Sequence, residues 1–298
     1  MPKHDGAARD RWVPAMTRCG TVVLAGRPNV GKSSLLNALI GERLAIVSPK
    51  AQSTRVPVVG ILTRGDMQFI FTDPPGLLTP AYRLQEKMRE AALQTIADAE
   101  VIAYLHPLPE FPAPPLAILA GLPGPPAAPV VTVYTKSDLI PDRARPALGD
   151  ALAVSCVTGE GVTALLEALG ARLPASPFHY PPDELATQPL RFFAAEYVRE
   201  AAFAVLEEEL PYSVACEIDE FREHETPTYI RAVVYVERDS QKGIVIGEGG
   251  RTIKAIGQAA RARIEALTGG PVYLDLHVKV LGNWRRNDPS LRRLGYAS

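Results

Sequence analysis

The run Gly26-Arg27-Pro28-Asn29-Val30-Gly31-Lys32-Ser33 decides how this chain is read. It satisfies the spacing GxxxxGK[ST]. It follows the apolar stretch Thr21-Val22-Val23-Leu24-Ala25 and leads into Leu35-Leu36-Asn37-Ala38-Leu39-Ile40. A strand that enters a glycine loop and opens a helix is the setting in which this spacing binds phosphate. Backbone N–H groups turn inward around the phosphates there, and the helix N-terminus adds its positive end. Gly26 to Ser34 are therefore the expected phosphate-binding residues. Lys32 is a point charge for the β- and γ-phosphates, and Ser33 offers a hydroxyl to magnesium.

A phosphate loop alone does not choose between ATP and GTP, so the segments after it carry the decision. Asp73-Pro74-Pro75-Gly76 matches DxxG at the end of a strand: Asp73 can hold magnesium through water, and the Gly76 amide can meet the γ-phosphate. Thr54, in the loop before the second strand, can add a hydroxyl to the metal while γ-phosphate is present, and loops of this kind order with GTP and release on hydrolysis. The expected magnesium ligands are thus Ser33, Thr54 and Asp73. Thr135-Lys136-Ser137-Asp138 follows a later strand and has the form [NT]KxD. An Asp carboxylate accepts from guanine N1–H and the 2-amino group, whereas adenine offers an acceptor at N1 and no amine at C2, which would leave the carboxylate unpaired. Thr135 stands where Asn is commoner, so a hydroxyl replaces an amide. At Ser155-Cys156 the second residue can read the base oxygen through its backbone N–H. Ras-type switches carry a water-positioning Gln directly after DxxG. Here that residue is Leu77, followed by Leu78, so intrinsic hydrolysis is expected to be slow.

Working outward, 298 residues suit two domains. A hydrophobic fraction of 47%, a charged fraction of 22% and a mean hydropathy of +0.02 belong to a globular chain and exclude general disorder. Strand-like runs at Val56–Leu62 and Gln68–Thr72 flank the turn Arg64-Gly65-Asp66 and are expected to pair antiparallel. A helix over Leu84–Ala97 precedes three short buried-strand runs, Val101–Leu105, Val130–Tyr134 and Ala151–Ser155, and a helix over Val162–Leu173. That is the pattern of a doubly wound α/β sheet. Prolines crowd residues 107–129, leaving room for little more helix than Leu116–Gly121. A second cluster, Pro174 to Pro189, marks a linker. Beyond it the sequence predicts a helix over Arg191–Leu210 stopped by Pro211, strands near Val214–Phe221 and Tyr229–Glu237, a helix Gln241–Ile246, and a helix from the glycine cluster to Thr268. The last strand alternates Val272, Leu274, Leu276, Val278 and Val280 with polar partners, which implies a sheet covered on one side. The expected division is an extension at 1–18, a nucleotide-binding domain at 19–174, a linker at 175–190 and an α+β domain at 191–298.

Net charge is −1, but its distribution is uneven: 4 Lys/Arg against 11 Asp/Glu from Arg191 to Glu237, then 11 against 5 from Arg238 to Ser298. The last segment is a candidate surface for nucleic acid or acidic lipid. Cys19, Cys156 and Cys216 form no CxxC pair, which supports neither a disulfide framework nor zinc and fits a reducing cytoplasm. No apolar run has the length of a membrane span. Gly247-Glu248-Gly249-Gly250 is a GxxG loop between two helices, which can present backbone N–H groups to nucleotide phosphates while bases lie along an apolar groove. Ile244, Ile246 and Ile253 could line that groove, or could be core by spacing. Lys242, Arg251, Lys254, Arg261 and Arg263 are candidate phosphate partners. Trp284, Arg285 and Arg286 could contact RNA or pack the C-terminal helix onto the sheet.

The segments GRPNVGKSSLLNALIG, Lys50-Ala51-Gln52-Ser53-Thr54-Arg55, ELPYS, GIVIGEGG, IKAIG, VKVLGNW and LRRLGY, spread over Thr21 to Tyr296, resemble the Era family of GTPases, within the TrmE-Era-EngA-like superfamily. The resemblance implies a Ras-like G domain joined to a type II KH domain. It implies a GTPase using Mg2+ with GTP and GDP, and an RNA partner at the 3′ end of 16S rRNA in assembly of the 30S ribosomal subunit. A cytoplasmic monomer with a peripheral contact to the inner face of the cell membrane is expected. In related GTPases with apolar residues after DxxG, the Asn equivalent to Asn29 can ligate K+, so Asn29 joins Lys32, Thr54, Asp73 and Gly76 as an expected catalytic residue. This chain departs from the family at Glu248, where a basic residue is usual, at Pro75, at Thr135 and in the proline-rich stretch. Those departures motivate an alternative, a non-hydrolysing RNA-binding adaptor.

Overall fold

Val22, Val23, Leu24 and Ala25 are apolar on both sides of a strand, which suits only a position in the middle of a sheet with helices on each face. In the computed structural model, which describes residues 17–50 and 52–297, this stretch belongs to β1 (Arg18–Ala25) at the centre of a six-stranded sheet. The others are β2 (Val58–Arg64), β3 (Met67–Asp73), β4 (Val101–Pro107), β5 (Val130–Thr135) and β6 (Leu152–Ala153), in the order β2-β3-β1-β4-β5-β6. All neighbours are parallel except the hairpin β2–β3. Successive side chains of β1 serve opposite layers. Val22 and Leu24 pack with α1 (Lys32–Ile40) and α4 (Val162–Gly170), while Val23 and Ala25 pack with α2 (Arg83–Ala97) and α3 (Leu116–Ala120). Because β1 and β3 end together, the phosphate loop and Asp73 emerge at one carboxyl edge, where ligands of such sheets bind.

Several boundaries differ from expectation. The expected extension lies outside the described residues except for Thr17 and Arg18, and these belong to the fold: Arg18 opens β1 and Thr17 donates to the Ser176 carbonyl at 2.9 Å. β6 keeps only two ladder residues, and α4 ends at Gly170. The proline-rich connection holds α3 as its one α-helix, bounded as expected, and is stapled by side chains: Tyr104 Oη donates to the Pro114 carbonyl at 2.8 Å and the Ala113 N–H to Tyr134 Oη at 3.1 Å. The linker is not free chain. It lies along edge strand β2, where the Ile61 N–H donates to the Leu185 carbonyl at 2.8 Å, so part of the exposed edge is paired.

The C-terminal half runs α5 (Leu190–Val205), α6 (Leu210–Ser213), β7 (Ala215–Arg222), β8 (Thr228–Val236), α7 (Asp239–Ile246), α8 (Arg251–Thr268), β9 (Val272–Val280) and α9 (Asp288–Arg293). β8 is central, antiparallel to β7 and parallel to β9. The helix expected to reach Leu210 stops at Val205, and Pro211 opens α6 instead. Leu206 is extended, and Lys50 from the first domain takes the freed carbonyls of Phe203 and Leu206, a cation at a helix C-terminus. The expectation of a sheet covered on one side also needs correction. Ile230, Ala232 and Val234 pack under α5 and α8, but Ala215, Val233 and Tyr235 on the other face are covered by Trp284 and Leu291 of the C-terminal tail together with Leu84 and Met88 of α2. No helix among the described residues is long and apolar enough to cross a membrane.

Candidate active site and nucleic-acid interface

Two adjoining cavities, of about 400 and 830 Å3, open at the carboxyl edge of the six-stranded sheet. They share Gly31, Ser34, Val47 and Lys136 and form one cleft with a phosphate end and a base end. Pro28, Asn29, Gly31, Lys32, Ser33 and Ser34 line the phosphate end with Thr54 and Gly76. Gly26 and Val30 are buried beneath it, and Arg27 is turned outward onto Glu110 of the proline-rich connection. Gly76 approaches the phosphate loop so closely that a Cβ would lie 2.5 Å from the Pro28 nitrogen, which is why no other residue fits. Pro74, Pro75 and Leu77 are buried. Leu77 points into the core with Val23 and Ala92 and reaches the site only through its N–H, which donates to the Gly26 carbonyl at 2.9 Å. Its side chain therefore lies away from the γ-phosphate position. The apolar residue after DxxG is an anchor for the loop.

Three oxygens converge beside the phosphate loop. Ser33 Oγ donates to Asp73 Oδ2 at 2.5 Å, Thr54 Oγ1 donates to the same oxygen at 3.3 Å, and the two hydroxyls are 3.0 Å apart. Asp73 is fully buried, and its Oδ1 has no hydrogen-bond partner, one of three such buried side-chain atoms among the described residues. A buried carboxylate oxygen without a donor is costly unless a cation answers it. One carboxylate with two hydroxyls also suits magnesium, which takes few protein ligands and keeps the rest for phosphate and water. Burial pushes the Asp73 carboxyl up and the Lys32 ammonium down, and each is partly restored by the charge of the other. Lys32 Nζ donates to the Arg27 carbonyl at 3.2 Å.

At the base end the TKSD segment divides its labour. Thr135 Oγ1 donates to the Val30 carbonyl at 2.6 Å, so the hydroxyl in place of Asn ties the base-reading loop to the phosphate loop. Lys136, in the left-handed region at φ 59°, and Asp138 line the cleft, whereas Ser137 is fully buried with Oγ on Glu160 at 2.7 Å. Ser155 is also buried. Its hydroxyl donates to Asp138 Oδ1 at 2.6 Å and accepts the N–H groups of Val157 and Thr158, fixing the carboxylate that would meet guanine. Cys156 lines the cleft. Burial, then the charge of Asp138, pushes its thiol up to about 11, so it stays neutral beside the base position.

In the C-terminal half the GxxG turn joins α7 to α8. Gly247 is required by its φ of +73° and because a Cβ would lie 2.2 Å from Thr252 Oγ1. Gly249 and Gly250 also take positive φ, which turns the chain back into α8, whose N-terminus has no side-chain cap. Beside the turn a groove of about 350 Å3 runs between α8 and β9, lined by Ile253, Lys254, Gly257, Gln258, Arg261, Tyr273, Leu274 and Leu276. Of the expected apolar positions, Ile253 lines this groove. Ile244, 60% exposed, and the half-buried Ile246 lie outside its lining, while Val245 fills the core. The cations divide in the same way. Lys254 and Arg261 face the groove and Lys242 is half-buried on α7, but Arg263 turns toward Tyr197 and Glu200 at the junction of the two halves. Glu248 forms a solvent-exposed ion pair with Arg251 at the turn. Trp284 is fully buried with Nε1 on the Ser213 carbonyl at 2.9 Å, and Arg285 pairs with Glu237, so these two pack the tail; Arg286 remains exposed. Sequence reasoning passed over Leu274 and Leu276, whose partial exposure on the inward face of β9 forms the groove floor. Their signal was the strict alternation of that strand.

Comparison with known proteins agrees with the two-part fold. Residues 21–135 match the family model of a 50S ribosome-binding GTPase, and residues 209–285 match that of a KH domain. GTPase Era of Desulfovibrio desulfuricans is 41% identical over 93% of this chain and 97% of its own length; GTPase Era of Mycobacterium avium is 41% identical over 94% and 99%. A single-substitution variant of Aquifex aeolicus Era bound to GDP and AlF4−, 34% identical, superposes with a TM-score of 0.89 over 95% of this chain and all of that one. Era in complex with MgGDPNP and nucleotides 1506–1542 of 16S ribosomal RNA, also 34% identical, gives 0.88 over the same shares. Motif order, cleft, groove and near full-length identity agree: this chain is a GTPase with a KH domain and belongs to the Era family.

Proposed function

We propose that this chain is a monomeric, cytoplasmic GTP-driven switch that binds the 3′ end of 16S rRNA in its KH groove and acts in assembly of the 30S subunit. The observation that carries the reading is the pairing, in one chain, of a buried Asp73 oxygen awaiting a cation in a phosphate cleft with an apolar groove beside a GxxG turn. The solved relative that holds MgGDPNP together with a 16S rRNA fragment supports the same combination. Hydrolysis breaks the bond between the γ-phosphorus and the β–γ bridging oxygen as water adds, giving GDP and phosphate. Lys32 and the amides of the phosphate loop meet the charge that spreads over the phosphoryl oxygens. Asp138, held by Ser155, accepts from guanine N1–H and its 2-amino group. Ser33, Thr54 and Asp73 would hold magnesium, which when bound neutralises β- and γ-phosphate charge.

The core position of Leu77 keeps the residue after DxxG from directing the attacking water, which predicts a slow intrinsic rate. Asn29 adds a second element to the proposal. Its Nδ2 donates to the Pro49 carbonyl at 3.0 Å, and turning the amide over places Oδ1 beside that carbonyl, two neutral oxygens suited to potassium at the phosphate end. Phosphate release from GTP by the purified protein, with and without the 3′ rRNA segment, tests the main reading. Magnesium-dependent turnover that rises with RNA is expected; no turnover under either condition would leave an RNA-binding adaptor. Potassium is expected to support faster turnover than sodium at matched ionic strength, with the difference lost in Asn29→Ala. Equal rates in the two salts would exclude a potassium site.

A further inference from the structure

Arg55 is the residue after Thr54 and is only 3% exposed. No carboxylate among the described residues lies within ion-pair distance of it. Its Nη1 donates to the Val214 carbonyl at 2.6 Å and its Nη2 to the Tyr212 carbonyl at 3.1 Å. The guanidinium carbon lies 5.8 Å from the ring centre of Phe203, 5.4 Å from Trp284 and 5.7 Å from Tyr296. Carbonyl dipoles and ring faces therefore replace a counter-charge, and a planar fork serves both carbonyls at once. Every one of these partners belongs to the C-terminal half, while Arg55 itself belongs to the loop that supplies a metal-site hydroxyl to the N-terminal half.

The adjoining contacts make this a mount for Thr54. Thr54 faces the Ser33–Asp73 pair, and Arg55, next in the chain, faces the cage. At the other end of the loop Lys50 is fixed to the carbonyls of Phe203 and Leu206, and between them Gln52 Oε1 accepts from Gln85 Nε2 of α2 at 2.9 Å. The tail residues Trp284 and Leu291 also pack on Leu84 and Met88 of α2, the helix that follows DxxG.

We propose that Arg55 is a positioning residue for GTP hydrolysis: docked in a cage built by the C-terminal half, it holds the Thr54 hydroxyl at the Ser33–Asp73 cluster. The RNA-binding half thereby completes the metal site of the G domain. This rests on the reading of Ser33, Thr54 and Asp73 as magnesium ligands.

The test compares the full chain with Arg55→Met, with Tyr296→Ala, which opens the cage more than two hundred residues away in sequence, and with the double variant. Because Thr54 meets the metal only when γ-phosphate is present, loss of positioning should leave GDP affinity unchanged. It should lower kcat about tenfold and raise the magnesium concentration for half-maximal rate, the scale on which groups that orient metal ligands act. The double variant should be no worse than the poorer single one, because both remove the same mount. A cage that serves only to glue the halves together would lower Tm in both variants while kcat and the magnesium requirement stayed at the unmodified values, and that result overturns the proposal. If Arg55→Met does not fold, Tyr296→Ala decides by the same readouts. The two readings fail separately. Magnesium-independent hydrolysis by the unmodified protein overturns the ligand assignment and this inference with it, whereas magnesium-dependent hydrolysis that ignores both substitutions overturns this inference alone.

Discussion

The cleft and the groove are both built to receive phosphate-bearing ligands, and they use opposite means. In the cleft the charges are few and buried: Lys32 is 6% exposed, Asp73 is fully enclosed, and hydroxyls and main-chain groups hold both in place. In the groove the floor is apolar, Lys254 and Arg261 line its sides, and the charges of the adjoining turn, Glu248 and Arg251, have side chains 86% and 77% exposed. A buried charge in a fixed geometry interacts strongly and cannot be replaced by water. A rim pair in solvent is screened and contributes little. The cleft should therefore read its ligand by electrostatics at set positions, and the groove by shape and base contact, with its charges as an adjustable addition.

Substitutions that remove a buried charge should break this contrast most. Lys32→Ala is expected to lower GTP turnover by roughly a hundredfold or more, the scale for loss of one preorganised group facing transition-state charge, while the fold and RNA binding persist. Phosphate release and RNA binding measured on the same preparation check both halves of that statement. Asp138→Asn should weaken GTP by roughly ten- to a hundredfold, because guanine donors then face a group that offers one oxygen and an N–H. It should favour xanthine nucleotide, which carries an acceptor where guanine has its amine. Unchanged GTP affinity would remove Asp138 from base recognition.

The smallest expected effect lies at the rim and sharpens the comparison. Glu248→Lys adds one cation and releases Arg251 from its ion pair, so up to two cations become available to neutralise RNA phosphates. RNA affinity should rise several-fold at low salt, and the slope of log affinity against log salt should steepen by about 0.7 per phosphate, up to about 1.4. A salt titration of the two proteins measures it. An unmoved slope would show that the turn does not lie against the RNA backbone.

The G half was legible because its motifs require local backbone geometry that only certain residues permit. Gly76 must lack a Cβ to approach Pro28, and Leu35, Leu36, Leu39 and Ile40 must recur with helical spacing to bury one face. The C-terminal half was legible in element order but not in its boundaries. Residues 191–210 carry a helical pattern throughout, yet the helix stops at Val205, where Lys50 takes its last carbonyls. Nothing in the local sequence announces a cap that arrives from another domain. Arg263 and Trp284 illustrate the same limit: by composition both could face RNA, and packing between the halves turned them inward.

By itself the sequence determined the two folds, the phosphate loop, the DxxG and TKSD segments, and the GxxG turn, because each depends on residues near one another in the chain. Tertiary structure alone decided which charges remain free. Arg293 meets Glu217 and Arg285 meets Glu237, so the acidic and basic segments of the C-terminal half partly cancel where the linear charge count had set them apart. It also decided that Arg55 and Thr54, adjacent in the chain, serve different halves of the molecule. The physical reason is common to both. Local spacing sets backbone conformation, whereas desolvation and charge pairing depend on distances between segments that only the folded chain brings together.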